Sequence, residues 1–486
     1  MADPTLLERI AAFAHTVRLG GVPHEVAASV GQRVLDIIGL QLAALYLKTS
    51  RAVLELVAEQ GGAAQAHVVG HPLRVPAPWA AFANGVLAHS LDYDDTHLPS
   101  IVHPSASVVP AALAAGELSG ATGAELVPAV AAGLEVTVRL GMAGYDRETN
   151  NSTFFEHGQH ATSICGTVGS AAAAAMLLGG DEAAIRHAMA VSASMASGII
   201  EANRTGGTVK RLHCGWAAHA GVTAALLVDK GITGPPTALE GRFGLFEAFL
   251  HGTFSAEELT HCLGEEWAVP DIFFKPYPAN HFTHAGIDAA RRLRERGLRP
   301  EQVRSATLAV ATPTVRTIGE PLEVKQRPET GYQAQFSGPY TVAAALIGGG
   351  GLGLNLDDFS DELVRDPARR ELMARITVVD DPECDAIYPY QFPAILTVET
   401  ADGRRVEERV LANRGGPAHP LSDEDLAAKF RDNATRALEP GTVDAITSRA
   451  QDLARLPELS ALMELTATAT GTHDAHDRPG DPATEH

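Results

Sequence analysis

Residues 25–46 read EVAASVGQRVLDIIGLQLAALY. Within this stretch Val26, Val30, Val34, Ile37, Ile38 and Leu42 recur at spacings of three and four, which gathers them on one stripe of an α-helix. The same reading predicts helices over 84–92, 107–118, 124–142, 167–178, 181–197 and 216–230, several of them rich in Ala, Gly and Ser. Small side chains let helix axes approach closely. A large helical domain can therefore be built in a chain that is 45% hydrophobic but only 5% aromatic.

The texture changes near Pro270. β-Branched alternation over 306–311, 376–379 and 394–400 predicts strands, the last turning through Ala401, Asp402 and Gly403 into 406–410 as a hairpin. Helices over 283–296 and 338–347 fall between these strands, giving a smaller α+β domain. Past Ser422 the chain becomes helical again, over 423–436 and 442–453. A chain of 486 residues exceeds the roughly 250–300 that one core supports. The expected organisation is a large all-helical domain from both chain ends (1–268 and 413–466), an inserted α+β domain (269–412) and a disordered, polar tail (467–486).

The formal net charge of −21 repels nucleic acid and anionic membranes, and no Lys/Arg-rich run reverses it locally. The amino terminus lacks a basic segment followed by an apolar one, and no uninterrupted apolar run reaches membrane-spanning length. A cytoplasmic protein is expected. Cys165, Cys214, Cys262 and Cys384 are dispersed, without the C-x-x-C of a zinc ribbon or iron–sulfur cluster. Gly348, Gly350 and Gly353 match G-x-G-x-x-G, but they follow a predicted helix instead of a strand and read as a flexible connection.

Four strings carry ionisable groups. The first, HSLDYDDTH at 89–97 with His103 beyond it, offers carboxylates and imidazoles for proton transfer or a metal, or it is a helix end with its acids in water. The second, EHGQHATS at 156–163, precedes a helix start where free N–H groups favour an anion, although an ordinary cap fits equally. The third, RTGGTVKRLH at 204–213, is free of acids in an acidic chain; Lys210 and Arg211 can neutralise carboxylates, or the string is a solvated loop. The fourth, FKPYPANHFTH at 274–284, sets one lysine among aromatics and prolines at the domain boundary.

Together with 91–110 (LDYDDTHLPSIVHPSASVVP), 166–179, 217–249, 275–290, 335–347 (QFSGPYTVAAALI) and ANRGGPAHPLSDEDLAAKFRDNA near the carboxy terminus, these strings resemble the MmgE/PrpD family over about residues 5–460. The resemblance implies a homodimer with a pocket between its domains and cofactor-free, metal-free chemistry on a small polycarboxylate. The family's reactions are dehydration of 2-methylcitrate, decarboxylation of cis-aconitate and epimerisation of iminodisuccinate. Its pocket pattern maps onto Asp92, Thr96, His103, His160, Lys210 and Lys275, with Arg211 and His213 as further substrate holders. The loop between Thr96 and His103 is longer than in the animal decarboxylase pattern, and 312–321 holds no match for an expected tyrosine.

The shared chemistry moves a proton at carbon next to a carboxylate. Lys210 and Lys275 are expected to hold carboxylates and developing enolate charge, while His103 and His160 exchange the proton. Dehydration is the first expectation, with His103 as base and His160 as acid in either order. Decarboxylation and epimerisation follow it, and the retained ionisable residues argue against a non-catalytic binding protein on the same fold.

Overall fold

The computed structural model describes residues 3–467, save the side chains of Asn203 and Arg204. All but the first residue of the expected 467–486 tail therefore lies outside the described residues. The chain forms two compact units, one running to Ile272 and resuming at Asn433, the other Phe273–Asp432.

The first unit is mainly helical. The stripe at 25–46 lies in the helix His24–Ala43, where Val26, Val30, Val34, Ile37, Ile38 and Leu42 are all buried. The helix Pro440–Gln451, from the far end of the chain, packs against it. Four more helices, Ala77–His89, Ser105–Ser119, Ala161–Leu177 and Leu212–Asp229, pack on one another.

Their crossings depend on glycine. A Cβ on Gly85 would sit 2.7 Å from the Cα of Gly215, and one on Gly215 would sit 2.4 Å from the Phe82 carbonyl oxygen. Likewise a Cβ on Gly221 would meet Ser170 Cβ at 2.5 Å. Dispersion falls steeply with separation, so backbone-to-backbone contact here supplies the packing that large side chains supply elsewhere.

Three expectations need correction. The unit is not all-helical, because Ala66–His67 pairs with Arg74–Val75 and Tyr145–Asp146 pairs with Asn151–Ser152, both antiparallel. Helix bounds also shift: the segment read as 84–92 is the helix Ala77–His89, which leaves Asp92 beyond its end, and 167–178 is Ala161–Leu177. Finally, His24–Ala43 and Gly123–Ala143 are long and apolar enough to cross a membrane by length and composition. Both are mostly buried within the protein, and they carry the buried Arg33, Asp36 and Glu135.

The second unit centres on a four-stranded sheet in the order Ile376–Asp380, Val303–Val310, Ala394–Thr400, Arg405–Val410. The first pair is parallel and the others antiparallel. The predicted hairpin forms, with Thr400 N–H donating to the Arg404 carbonyl at 2.8 Å and Gly403 at φ +86°. Helices His284–Glu295 and Gly338–Ile347 supply Ile287, Leu293, Val342 and Leu346 to a core shared with Leu308 and Leu396. The glycine run after Gly338–Ile347 is tied down instead of loose, because the Asp358 carboxylate accepts from the N–H groups of Gly350 and Asn355, both at 2.9 Å.

Candidate active site

The helix Ala77–His89 delivers His89 at its last position, and the chain then reverses through Asp92, whose φ of +51° lies in the left-handed region that Asp tolerates better than most residues. This turn brings Asp94 back onto the helix end, where its Oδ2 lies 2.8 Å from His89 Nδ1. Both side chains are buried. The next segment closes as a small loop, with His97 N–H donating to the Val102 carbonyl at 2.9 Å and the His97 ring meeting Ser100 Oγ at 2.7 Å.

Asp95 anchors the loop from beneath. Its carboxylate accepts from Arg33 at 2.6 Å, from the Ser105 N–H at 3.2 Å and from the Ser105 hydroxyl. Arg33 also donates to the carbonyls of Val269 and Ile272. Burial raises the Asp95 carboxyl, and the Arg33 guanidinium and Ser105 pull it back toward the anion. An arginine stays charged in proteins, so the ionised pair is the arrangement that leaves no charge uncompensated.

His103 is held by the same residue. Its Nδ1 lies 2.6 Å from the Asp95 carbonyl, a pure acceptor, so Nδ1 carries the proton and Nε2 the lone pair. Thr96 Oγ1 also approaches this Nδ1, at 3.1 Å, and Thr162 Oγ1 receives the His103 N–H. Thr96 thus acts on the ring orientation of His103.

His160 is the N-cap residue of Ala161–Leu177, fixed by its N–H donating to the Gly198 carbonyl at 3.0 Å. His213 stands in the first turn of Leu212–Asp229, and its Nδ1 lies 3.0 Å from His160 Nδ1. The rings of His89, His103, His160 and His213 form one cluster: His89 is 5.5 Å from His103 and 5.7 Å from His160, and His160 is 4.9 Å from His213, centre to centre. Lys210 Nζ stands 3.5 Å from Asp92 Oδ1. Three helices, Ser105–Ser119, Ala161–Leu177 and Leu212–Asp229, begin at or within a few residues of these side chains, and helix N-termini favour anions.

The electrostatics follow from this crowding. Burial, then the positive potential of His89, Lys210, His213 and His103, holds His160 well below the usual imidazole range. Burial, with His89 and Lys210, takes His213 down to about 4. The thiol of Cys214 is driven up by burial, as is that of Cys165, so neither is a nucleophile at neutral pH. His89 Nε2 is buried without a hydrogen-bond partner among the described residues. An orphaned buried polar atom costs about 1–3 kcal/mol unless water or a ligand meets it.

The structure thus brings together Asp92, Thr96, His103, His160, Lys210 and His213. Arg211 points its guanidinium to Thr49 Oγ1 at 3.0 Å. Lys275 belongs to the second unit, where it is buried beside Phe274, whose N–H donates to the Gly415 carbonyl. His97 faces Ser100, and His157 stacks on His251 at 4.4 Å. Sequence reasoning passed over His89, Asp94, Asp95 and Arg33 as site residues. Arg33 had a signal, since it sits three residues after Val30 and four before Ile37, on the apolar stripe itself. Among the described residues, three potential metal-ligating atoms converge within 4.8 Å only at the more exposed His261, Cys262 and Glu266.

The chain as a whole is similar to several known proteins. The chain is 30% identical to the human cis-aconitate decarboxylase, with 95% of this chain and 94% of the relative covered. It is 25% identical to a cis-aconitate decarboxylase of Aspergillus terreus, with 96% of each covered. A 2-methylcitrate dehydratase of Cupriavidus necator is 28% identical over 50% of each chain. The MmgE/PrpD N-terminal domain matches residues 8–257 and the MmgE/PrpD C-terminal domain residues 277–453, so this protein belongs to the MmgE/PrpD family.

Proposed function

We propose that the protein is a lyase acting on a small polycarboxylate, and that its reaction is decarboxylation of a cis-aconitate-like substrate. The observation that carries the reading is the buried cluster of imidazoles with Lys210 beside it, at the starts of three helices. Such a site offers positive potential for several carboxylates and uncharged bases for one proton. Preference for decarboxylation over dehydration, the sequence's first expectation, rests on relatives of that name that match nearly the whole chain. The dehydratase match spans half of it.

In this reading Lys210 and the helix N-termini hold the carboxylates that stay. As the carbon–carbon bond to the departing carboxylate breaks, CO2 leaves and the electron pair is delocalised toward a retained carboxylate, where the positive potential of Lys210 and the helix N-termini stabilises it. A proton then bonds to carbon. His103, with its lone pair on Nε2, and His160 are two of the clustered imidazoles through which that proton is relayed. Because burial keeps His160 neutral, it suits the base role better than the acid role.

The test is to incubate the purified protein with cis-aconitate, citrate, 2-methylcitrate and iminodisuccinate while following CO2 release and products by NMR. Release of CO2 from cis-aconitate supports the proposal. Water loss from 2-methylcitrate without CO2 makes the protein a dehydratase, and inertness toward all four removes the lyase reading. In an active protein, His103→Gln and His160→Gln should each lower kcat about a hundredfold.

A further inference from the structure

The site as described leaves one group unexplained. His89 closes the helix Ala77–His89, and Asp94, carried back by the turn at Asp92, sets its Oδ2 2.8 Å from His89 Nδ1. The side chains are 2% and 0% exposed. A carboxylate accepts and cannot donate, so the neutral ring must hold its proton on Nδ1 and its lone pair on Nε2. That Nε2 is buried and meets no hydrogen-bond donor or acceptor among the described residues. The ring lies against those of His103 and His160, so the orphaned nitrogen belongs to the cluster where the substrate is placed.

The four clustered imidazoles are not equivalent. His160 and His213 face each other, and burial with positive neighbours keeps both uncharged. His103 rests its Nδ1 on a neutral carbonyl. His89 has the Asp94 carboxylate on its ring, so the positive charge of a protonated ring would be met on the spot. The charged or titratable groups around it are Asp94, His103, His160 and His213, with Lys210 acting on the last two.

We propose that His89 is a catalytic residue that carries the reacting proton, with Asp94 as its positioning residue. The inference rests on the lyase reading above. During decarboxylation the bond to the departing carboxylate breaks and CO2 leaves. The electron pair forms a new C–H bond with the proton from His89 Nε2, and the ring returns to neutrality against an anionic Asp94. Solvent then restores the proton to Nε2. In a dehydration the same nitrogen would instead take the proton from carbon.

The experiment compares wild type, His89→Gln and Asp94→Asn on whichever polycarboxylate the wild type turns over. Inactivity of the wild type toward every candidate overturns the lyase reading itself. With an active wild type, His89→Gln should lose at least a hundredfold in kcat while KM changes less than about threefold, and deuterium transfer from D2O to the product carbon should fall with it. Asp94→Asn should lose ten- to a hundredfold in kcat and displace the acid limb of the kcat–pH profile, which a merely structural carboxylate would leave in place. Near-normal kcat in folded His89→Gln overturns the proposal, as does an unmoved profile in Asp94→Asn. Should His89→Gln fail to fold, wild-type protein with 15N-labelled imidazoles decides: tricarballylate, an unreactive tricarboxylate, should shift the Nε2 signal of the carboxylate-bound His89 ring, and an unchanged signal overturns the assignment.

Discussion

His160 and His213 approach through like atoms, Nδ1 to Nδ1, at 3.0 Å. A hydrogen bond at that distance needs one nitrogen to donate and the other to accept, so the pair holds one proton between these two atoms. Two imidazolium rings could not share the contact. Geometry thus excludes a doubly charged pair, and burial with the neighbouring positive groups goes further and keeps both rings neutral.

An NMR titration of the imidazoles checks this directly. His213 should titrate near 4, and His160 should remain neutral well below the ordinary value near 6.5. A His213 midpoint at 6 or above would show that the pair is solvated and that the crowding described here is absent.

Stability should carry the same signature, most cleanly at His97. Burial takes this ring down to about 4, while in the unfolded chain it titrates near 6.5. Between those values the unfolded state binds the extra proton, so stability rises with pH across the window. The contribution is fully present above about 6.5 and is lost as pH falls toward 4, at up to about 1.4 kcal/mol per pH unit for one group. Urea unfolding of His97→Asn from pH 4 to 7 should give a shallower slope than wild type. Parallel slopes would rule out His97 as the group responsible.

The first unit's helices are legible in sequence where one face is buried and the other wet, as at the start of His24–Ala43, where Val26, Val30 and Val34 are buried while Glu25 and Ala28 are exposed. They blur where the whole circumference is buried. Every residue of Ala161–Leu177 is buried, so apolar spacing gives no contrast and its first six residues go unread. The site is legible in part for a related reason. His103, His160 and Lys210 stand in short strings rich in functional groups, whereas the partnership of His89 with Asp94 depends on the chain reversing at Asp92. A helix read through to residue 92 hides that reversal. Arg33 is hidden by distance, because its partner Asp95 lies 62 residues away.

Arg33 should be the costliest single loss in this unit's framework. It is 1% exposed, and its removal leaves the Asp95 carboxylate buried without its cation while the Val269 and Ile272 carbonyls lose a donor. Breaking a buried pair from one side costs about 3–5 kcal/mol. Chemical denaturation of Arg33→Met should show a loss of that order, and activity should fall with it because Asp95 also holds His103. A change under about 1 kcal/mol would mean the pair is dispensable.

Gly85→Ala tests whether the helix crossings set the site. The added methyl would meet the Gly215 Cα at 2.7 Å and the Cys214 carbonyl oxygen at 2.9 Å, backbone atoms that cannot rotate away. Overpacking of this kind costs about 1–3 kcal/mol. Because Ala77–His89 carries His89 and Leu212–Asp229 carries His213, the displacement should reduce kcat even at temperatures where the variant remains folded. Calorimetry and kinetics on the same sample distinguish this from simple unfolding, and full activity in a destabilised Gly85→Ala protein would separate the crossing from the site.

Lys210 and Asp92 allow the last test, in which stability and activity should part company. Lys210 Nζ lies 3.5 Å from Asp92 Oδ1, with the lysine side chain 20% exposed and the aspartate 9%. Lys210→Ala removes the cation proposed to hold a substrate carboxylate and takes a positive charge away from a mostly buried carboxylate. Losing a hydrogen bond to a charged group costs about 1.5–3 kcal/mol, so kcat/KM should fall about ten- to a hundredfold. The melting temperature should fall as well, because the Asp92 carboxylate loses a nearby cation. Adding Asp92→Asn takes away the buried negative charge, so the double variant should regain stability relative to Lys210→Ala. It should regain no activity, since the positive charge is still missing. If the double variant recovers both, Lys210 serves only to neutralise Asp92, and the substrate's carboxylates are held elsewhere.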